Sequence, residues 1–356
     1  MQDIKSPTLK WGVTMDTNLQ DFFRVIPEAK EDWQRRIQLL RLLQLQQPLG
    51  RRLIAQILQG TERIIRDDLT VLKDAKLIET SRLGVTLSKE GIEWLQVMAP
   101  IIQQQQDLQY YEEALQQRLQ VERVYVLPGD CDENPWTQKE LGRKAAQILQ
   151  NEAKDGDVIA VNGGTSMAMM ATYLLPWNQR DVTFVPARGS LGEEIKYEAS
   201  TIAVTSAQHT GSTYKVFNLP EQMSTTTIQS LLKEEYVQDW LHLIQNARLF
   251  LHGIGEAATM AERRRLPGEI QKRLEEGAAV GEAYGTFFTA AGDVVYETPT
   301  IGLHLQHGLK VERVIALAGG KSKGKAIQAV VCYGQKAGYS YILVTDVGAA
   351  QAILST

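Results

Sequence analysis

The most constraining feature of this 356-residue chain is the stretch from Asp157 to Ala168, DVIAVNGGTSMA. Val158, Ile159, Ala160 and Val161 form a short continuous apolar run, the pattern of a strand covered on both faces in a parallel sheet. The run stops at Gly163 and Gly164, which lack a Cβ and let their N–H groups approach a ligand closely. A helical pattern carrying Met167, Met169, Met170 and Leu174 follows at once. Thr165 or Ser166 stands where a helix cap is expected, and the exposed N–H groups and dipole of such a helix attract phosphate. The functional reading is strand, phosphate-binding turn, helix; the structural one is a tight turn with a capping hydroxyl. No Gly-Lys-Ser/Thr follows, so the turn is not a Walker loop, and the third glycine of a dinucleotide fingerprint is missing.

The same pattern recurs from Val121 onward. Strands are expected at Val124–Leu127, Thr183–Val185, Tyr214–Phe217, Leu249–Leu251, Val314–Leu317 and Tyr341–Val344, most of them separated by helical patterns such as Thr137–Ala153. This alternation predicts a mainly parallel, open α/β sheet with helices on both faces. Ligands in such sheets sit beyond the carboxyl ends of the strands. The segments expected there are Asn162–Ser166, Pro186–Ser190 with Arg188, His252–Glu256, and Ala318–Gly320 followed by Lys321, Lys323 and Lys325. Glycines, hydroxyls and cations at successive strand ends suit a small anionic ligand. Arg263, Arg264 and Arg265 form a basic run after the Gly253 loop. Glu282 stands among small and apolar residues, where a carboxylate needs a partner; sugar hydroxyls would serve, and a surface turn is the plainer alternative. None of the five histidines pairs with a nucleophile: His252 lies at a strand end, and His304 and His307 lie in a polar loop. No catalytic residue is therefore expected.

The first hundred residues follow a different pattern. Residues 1–30 show no sustained period and are expected to form an irregular arm. From Glu31, Ile37, Leu40, Leu43 and Leu45 mark a first helix ending before Pro48; Leu49–Leu58 a second, with Arg51 and Arg52 in its first turn; and Gly60 a break. Thr61 is the expected N-cap of a third helix, whose Ile65, Leu69 and Leu72 make one apolar stripe. Leu77–Thr80 and Val85–Ser88 then read as a β-hairpin with Arg82 at its tip. Three helices and a hairpin make a winged helix-turn-helix over residues 31–90. Arg63 and Arg66 are expected to meet base edges or phosphates, and Arg51, Arg52 and Arg82 phosphates, with Thr61 at the start of the same helix. A structural helical subdomain with solvated arginines is the alternative.

Charge supports this division. Trp33 to Glu90 holds eleven Lys/Arg against six Asp/Glu, a net of +5 in a chain whose total is −4. A small basic unit joined to a larger acidic one suggests that only the former meets nucleic acid. Between them, residues 91–120 are helical in tendency, glutamine-rich and interrupted by Pro100. Ile101, Leu108 and Leu115, spaced by seven, fit either a short coiled-coil seam between subunits or a face packed on the same chain. A homodimer or homotetramer would suit a twofold operator. Cys131 and Cys332 lack metal-ligand spacing, so neither a disulfide framework nor a metal site is indicated. With no bilayer-length apolar run and no signal peptide, the expected location is cytoplasmic.

The ordered motifs LGRRLIAQIL, TERIIRDDLTVLKDAKLI, VNGGTSM, PARGSLGE, HGIGEA, GEAYG, ALAGGKSKGKAI and YILVTDVGAA resemble the SorC-type sugar-binding transcriptional regulators, from about residue 33 to the end. The resemblance implies a DNA-binding repressor of a glycolytic operon, released by fructose 1,6-bisphosphate. It also implies a C-terminal effector domain over residues 121–356, similar to sugar-phosphate isomerases and deaminases but without their activity or a cofactor. Carried over by position, the phosphate loop is Gly163, Gly164, Thr165 and Ser166, the basic contacts are Arg188, Arg263 and Lys323, and Glu282 faces the sugar. Ser166 stands where the family pattern has threonine, and Glu198 where it tends to an amide; a carboxylate there repels a phosphate unless it is paired. The competing expectations are an enzyme acting on sugar phosphates that carries a helical appendage, and an activator built from the same parts.

Overall fold

The computed structural model describes residues 26, 29–105, 108–192, 194–221, 223–302 and 311–355. Most of the expected N-terminal arm, together with His304 and His307, lies outside the described residues. The chain divides into two compact units, Met1–Asp107 and Leu108–Thr356.

The first unit is built on helices α1 (Ala29–Leu45), α2 (Arg51–Ile57) and α3 (Glu62–Asp74). Their apolar stripes bury Leu39, Leu43, Ile54, Ile65 and Leu72. Thr61 caps α3 as expected, its Oγ1 accepting from the Ile64 N–H at 3.3 Å. Asp68, on the inner face of α3, is 1% exposed and accepts from both Arg35 (2.5 Å) and Arg36 (2.8 Å), which fastens α1 to α3. Strands β1 (Ile78–Ser81) and β2 (Gly84–Leu87) pair antiparallel as the wing. Leu49 is not helical: it exchanges backbone hydrogen bonds with Val85, so α2 starts two residues later than its pattern suggests. Helix α4 (Lys89–Gln105) continues through Pro100 rather than breaking there.

In the second unit, α5 (Leu108–Leu119) buries Leu108, Leu115 and Leu119 in the core of its own chain. Two of the three positions spaced by seven are thus packed within the subunit, and the side chain of Ile101 is outside the described residues. A seven-stranded, wholly parallel sheet follows: β3 (Arg123–Leu127), β4 (Val158–Val161), β5 (Thr183–Pro186), β6 (Thr213–Tyr214), β7 (Leu249–Gly253), β12 (Arg313–Leu317) and β13 (Tyr341–Asp346). Their spatial order is β3-β13-β12-β7-β4-β5-β6. The continuous apolar runs are what a sheet covered on both faces requires, and Ile159, Ala160, Leu249, Phe250, Ile315 and Leu343 are fully buried. Helix α6 (Pro135–Glu152), expected from Thr137, packs Leu141 and Leu149 into one of the two covering cores. The expected strand Tyr214–Phe217 shrinks to β6, because Phe217 turns into the core and stacks on Trp240 with ring centroids 3.6 Å apart.

The sequence pattern did not reveal a second, antiparallel sheet of β8 (Gly255–Glu256), β9 (Ala279–Ala283), β10 (Thr286–Thr289) and β11 (Val294–Glu297), in the order β11-β10-β9-β8. Tyr284 and Gly285, both at positive φ, turn β9 into β10. Glu282 is therefore a buried strand residue, not part of a surface turn.

In the parallel sheet, chain order runs outward one way from β4 to β5 and β6, and the other way from β7 to β12 and β13. Strands β4 and β7 are neighbours, so the order reverses between them. The loops leaving such a reversal diverge to opposite faces and open a crevice at the carboxyl ends.

Candidate ligand-binding site

A cavity of about 210 Å³ opens in that crevice. Gly163, Gly164, Thr165, Ser166, Arg188, Arg263, Glu282 and Lys323 all line it, so the structure gathers the eight positions singled out from sequence around one space. Their separate roles differ in several respects from expectation.

Between β4 and helix α7 (Thr165–Thr172), Gly164 itself is the N-cap, at φ +122°, and no hydroxyl caps the helix. Thr165 and Ser166 are the first two helical residues, whose N–H groups have no acceptor within the helix. Thr165 Oγ1 accepts from Gln138 Nε2 at 3.2 Å, which fixes its rotamer. The Gly164 N–H donates to the Tyr197 carbonyl at 2.9 Å, so this amide supports the loop. A Cβ on Gly163 would lie 2.7 Å from the same carbonyl oxygen, which leaves glycine as the residue that fits.

Arg188, after β5, is 3% exposed. Its Nε lies 2.9 Å from Glu221 Oε1; Glu221 Oε2 lies 2.8 Å from Arg264 Nη1; and Arg264 Nη2 donates to Glu282 Oε1 at 2.8 Å. The Gly285 N–H also donates to Glu282 Oε1, at 2.5 Å. Two guanidinium groups and two carboxylates thus alternate through the wall of the cavity. Burial lowers the Arg188 pKa, against the pull of Glu221. Burial alone would raise Glu221, but Arg188 and Arg264 outweigh it and hold this carboxyl below its ordinary range. Burial likewise opposes the charge on Arg264, and Glu282 and Glu221 overcome it, so the net shift is upward. Arg188 keeps Nη1 and Nη2 without a hydrogen-bond acceptor among the described residues. Glu282 already has the partner that sugar hydroxyls were expected to supply.

Sequence reasoning missed Glu221 and the hub role of Arg264. Arg263, chosen from the same basic run, is half-buried on the cavity side and brings its Nη1 to 4.0 Å from Met260 Sδ. The loop after β12 also departs from expectation. The Gly320, Lys321 and Ser322 N–H groups donate to Asp346 (2.8 Å), Asp130 (3.2 Å) and Asp132 (2.7 Å). These amides serve the protein's own carboxylates. Only the Lys323 side chain of that loop lines the cavity; Lys321 and Lys325 do not.

His252 lies beneath, fully buried, with its ring 5.2 Å from that of Tyr284. The Gly253 carbonyl, 2.9 Å from Nδ1, accepts only, so Nδ1 carries the proton. Burial pushes the pKa down to about 4, and the ring is neutral at pH 7. Of the core and surface places open to it from sequence, it takes the core, within β7.

In the first unit, Arg51, Arg52, Arg63, Arg66 and Arg82 are exposed, as is Thr61. Arg51 and Arg52 lie 3.6 and 3.3 Å from Glu62, and Arg66 lies 3.8 Å from Asp67. Exposed pairs of this kind contribute little to stability and leave the arginines available to phosphates.

A family profile for a sugar-binding domain matches residues 103–355, and one for the CggR N-terminal DNA binding domain matches residues 33–102. A central glycolytic genes regulator of Priestia megaterium is 38% identical over 333 residues, spanning 93% of this chain and 96% of its own length. The chain belongs to this family. The protein of the same name from Bacillus subtilis is 35% identical over 341 residues, 96% of this chain and 99% of its own. A solved structure from Enterococcus faecalis, of a protein assigned to the SorC family of transcriptional regulators, is 36% identical with a TM-score of 0.64; it covers 69% of this chain and 99% of its own. As a member of the central glycolytic genes regulators, the chain is a transcriptional regulator with a DNA-binding and a sugar-binding domain, not an enzyme. No helix among the described residues is long and apolar enough to cross a membrane.

Proposed function

We propose that this regulator represses a glycolytic operon and is released from operator DNA by a phosphorylated sugar, fructose 1,6-bisphosphate first among candidates. The observation that carries the reading is the gathering of the Gly163–Ser166 turn, Arg188, Arg263 and Lys323 around one cavity at the switch point of the sheet. First-turn amides provide hydrogen bonds to one phosphate, and the cations provide charge for it and for a second. The sugar lies between, with Glu282 and Tyr284 on the wall.

DNA contacts are assigned to Arg51, Arg52, Thr61, Arg63, Arg66 and Arg82, with α3 in the major groove and the wing at the backbone. The working form is a homodimer or homotetramer matched to a twofold operator, in the cytoplasm. Ligand must bind the DNA-free arrangement more tightly, because one that binds both arrangements equally shifts nothing. Thermal unfolding against a panel of sugar mono- and bisphosphates tests the ligand assignment. Binding to the native state alone adds RT ln(1 + [L]/Kd), about 2.7 kcal/mol at a hundredfold excess over Kd. No shift with any sugar phosphate would remove the assignment.

A further inference from the structure

The start of α3 exposes the charged residues Glu62, Arg63, Arg66 and Asp67 and, among them, one apolar side chain: Ile64, at 39% exposure. Its neighbour Ile65 is fully buried and, with Leu69 and Leu72, accounts for the face of α3 that packs inside the domain. Ile64 is not part of that face. The roll of the helix is held by Asp68, which accepts from both Arg35 and Arg36 of α1, so the outward position of Ile64 is fixed by the fold. Thr61 Oγ1 accepts from the Ile64 N–H, which places Ile64 in the first turn. The first residues of a recognition helix are the ones that reach base edges. A lone exposed isoleucine is ordinary on a protein surface, and it is the location that gives this one meaning. It stands between Arg63 and Arg66, inside the segment that matches a DNA-binding domain. The major-groove edges of the four bases display donors, acceptors and a single apolar group, the C5-methyl of thymine.

We propose that Ile64 is a specificity-determining residue of this regulator, packing against the C5-methyl of a thymine in the operator. The inference rests on the reading of α3 as the helix that enters the major groove. Arginines recognise guanine or phosphate and leave a thymine methyl unread. Ile64 supplies the missing partner: the contact takes apolar surface of both side chain and base out of water and involves no charge. It therefore discriminates between sequences without adding to the salt dependence, which follows the number of phosphates neutralised.

The test is fluorescence anisotropy of the full-length protein at fixed salt, on the promoter duplex of the glycolytic operon with each thymine replaced in turn by deoxyuridine, which lacks only the C5-methyl. At one position at least, wild type is expected to bind about fourfold more weakly, the size of one methyl group returned to water. Ile64→Ala should weaken binding to the unmodified duplex and show no further loss with deoxyuridine at that position, because either change removes the same contact. Val71→Ala, also in α3 and 43% exposed but towards its other end, controls for a general disturbance of the helix and should keep the full deoxyuridine effect. If no deoxyuridine weakens wild type, if the effect persists in Ile64→Ala, or if it vanishes equally in Val71→Ala, this inference is overturned and the assignment of α3 to DNA stands. If wild type does not prefer the promoter to a random duplex, that assignment fails and takes the inference with it.

Discussion

Arg188 Nε and Glu221 Oε1 lie 2.9 Å apart, with both side chains less than 5% exposed, and Glu221 extends the contact to Arg264. A carboxylate from the irregular segment after Pro220 thus holds two cations that face a ligand cavity. Both arginines are buried, and Glu221 and Glu282 compensate their charge.

Removing Glu221 should therefore cost far more than its size suggests. Glu221→Ala leaves two buried guanidinium groups sharing one carboxylate, and breaking a buried pair this way costs about 3–5 kcal/mol. Urea unfolding of the variant should show a midpoint lowered in proportion, with m unchanged. A loss below about 1 kcal/mol would show that water enters the network.

Stability should fall as pH drops from 6.5 towards 4, through His252. The ring is held at about 4 in the fold, below its ordinary value of 6.5, so the unfolded chain takes up the proton first. The contribution is complete above pH 6.5, shrinks as pH falls and is gone near pH 4, by an amount of about 3 kcal/mol. Unfolding curves of wild type and His252→Phe across this range check it: the slope should flatten in the variant. The depressed Glu221 carboxyl acts in the same direction, its stabilisation present above the ordinary carboxylate range and lost as pH falls through its folded pKa.

Thr165→Ala should separate binding from folding. The side chain touches Gln138 at the cavity wall and caps nothing, so the ligand-free melting temperature should change by only a few degrees. Loss of a hydroxyl bonded to a charged phosphate oxygen costs about 1.5–3 kcal/mol, roughly ten- to a hundredfold in Kd. Titration with fructose 1,6-bisphosphate reads this directly, and an unchanged Kd would place the phosphate elsewhere.

On the DNA side, Arg63→Ala and Arg66→Ala should weaken operator binding and leave sugar-phosphate binding untouched. An arginine that neutralises a phosphate contributes about 1 to the slope of log K against log salt, and its removal lowers that slope on any duplex. An arginine that reads a base edge instead contributes about 1–3 kcal/mol on the specific site alone. Anisotropy titrations at several salt concentrations on operator and random duplexes distinguish the two.

Much of this architecture was legible because two strong periodic signals carry it. Continuous apolar runs such as Val158–Val161 and Tyr341–Val344 allow one environment, the centre of a parallel sheet. The stripe Ile65, Leu69, Leu72 allows one helix face. The antiparallel sheet was hidden, because Ala279–Glu297 mixes glycine, buried aromatics and buried Glu282 with no clean alternation. The cavity residues were found where glycine, hydroxyl and cation occur together after a strand. Arg264 was passed over for Arg263 because neighbours in a basic run look alike until burial separates them. Glu221 has no local pattern at all: its role comes from Arg188 and Arg264, 33 and 43 positions away. Gly320 and its neighbours misled because a glycine-rich turn offers amides equally to a ligand and to the chain's own Asp130, Asp132 and Asp346.

The central claim is that sugar bisphosphate in the effector cavity lowers affinity for DNA. The most direct measurement is the dissociation constant for the promoter duplex of the glycolytic operon, by fluorescence anisotropy at fixed salt, with and without saturating fructose 1,6-bisphosphate. The account predicts a loss of at least tenfold, abolished in Thr165→Ala at the same ligand concentration. Operator affinity unchanged in protein shown by calorimetry to be ligand-saturated would contradict it.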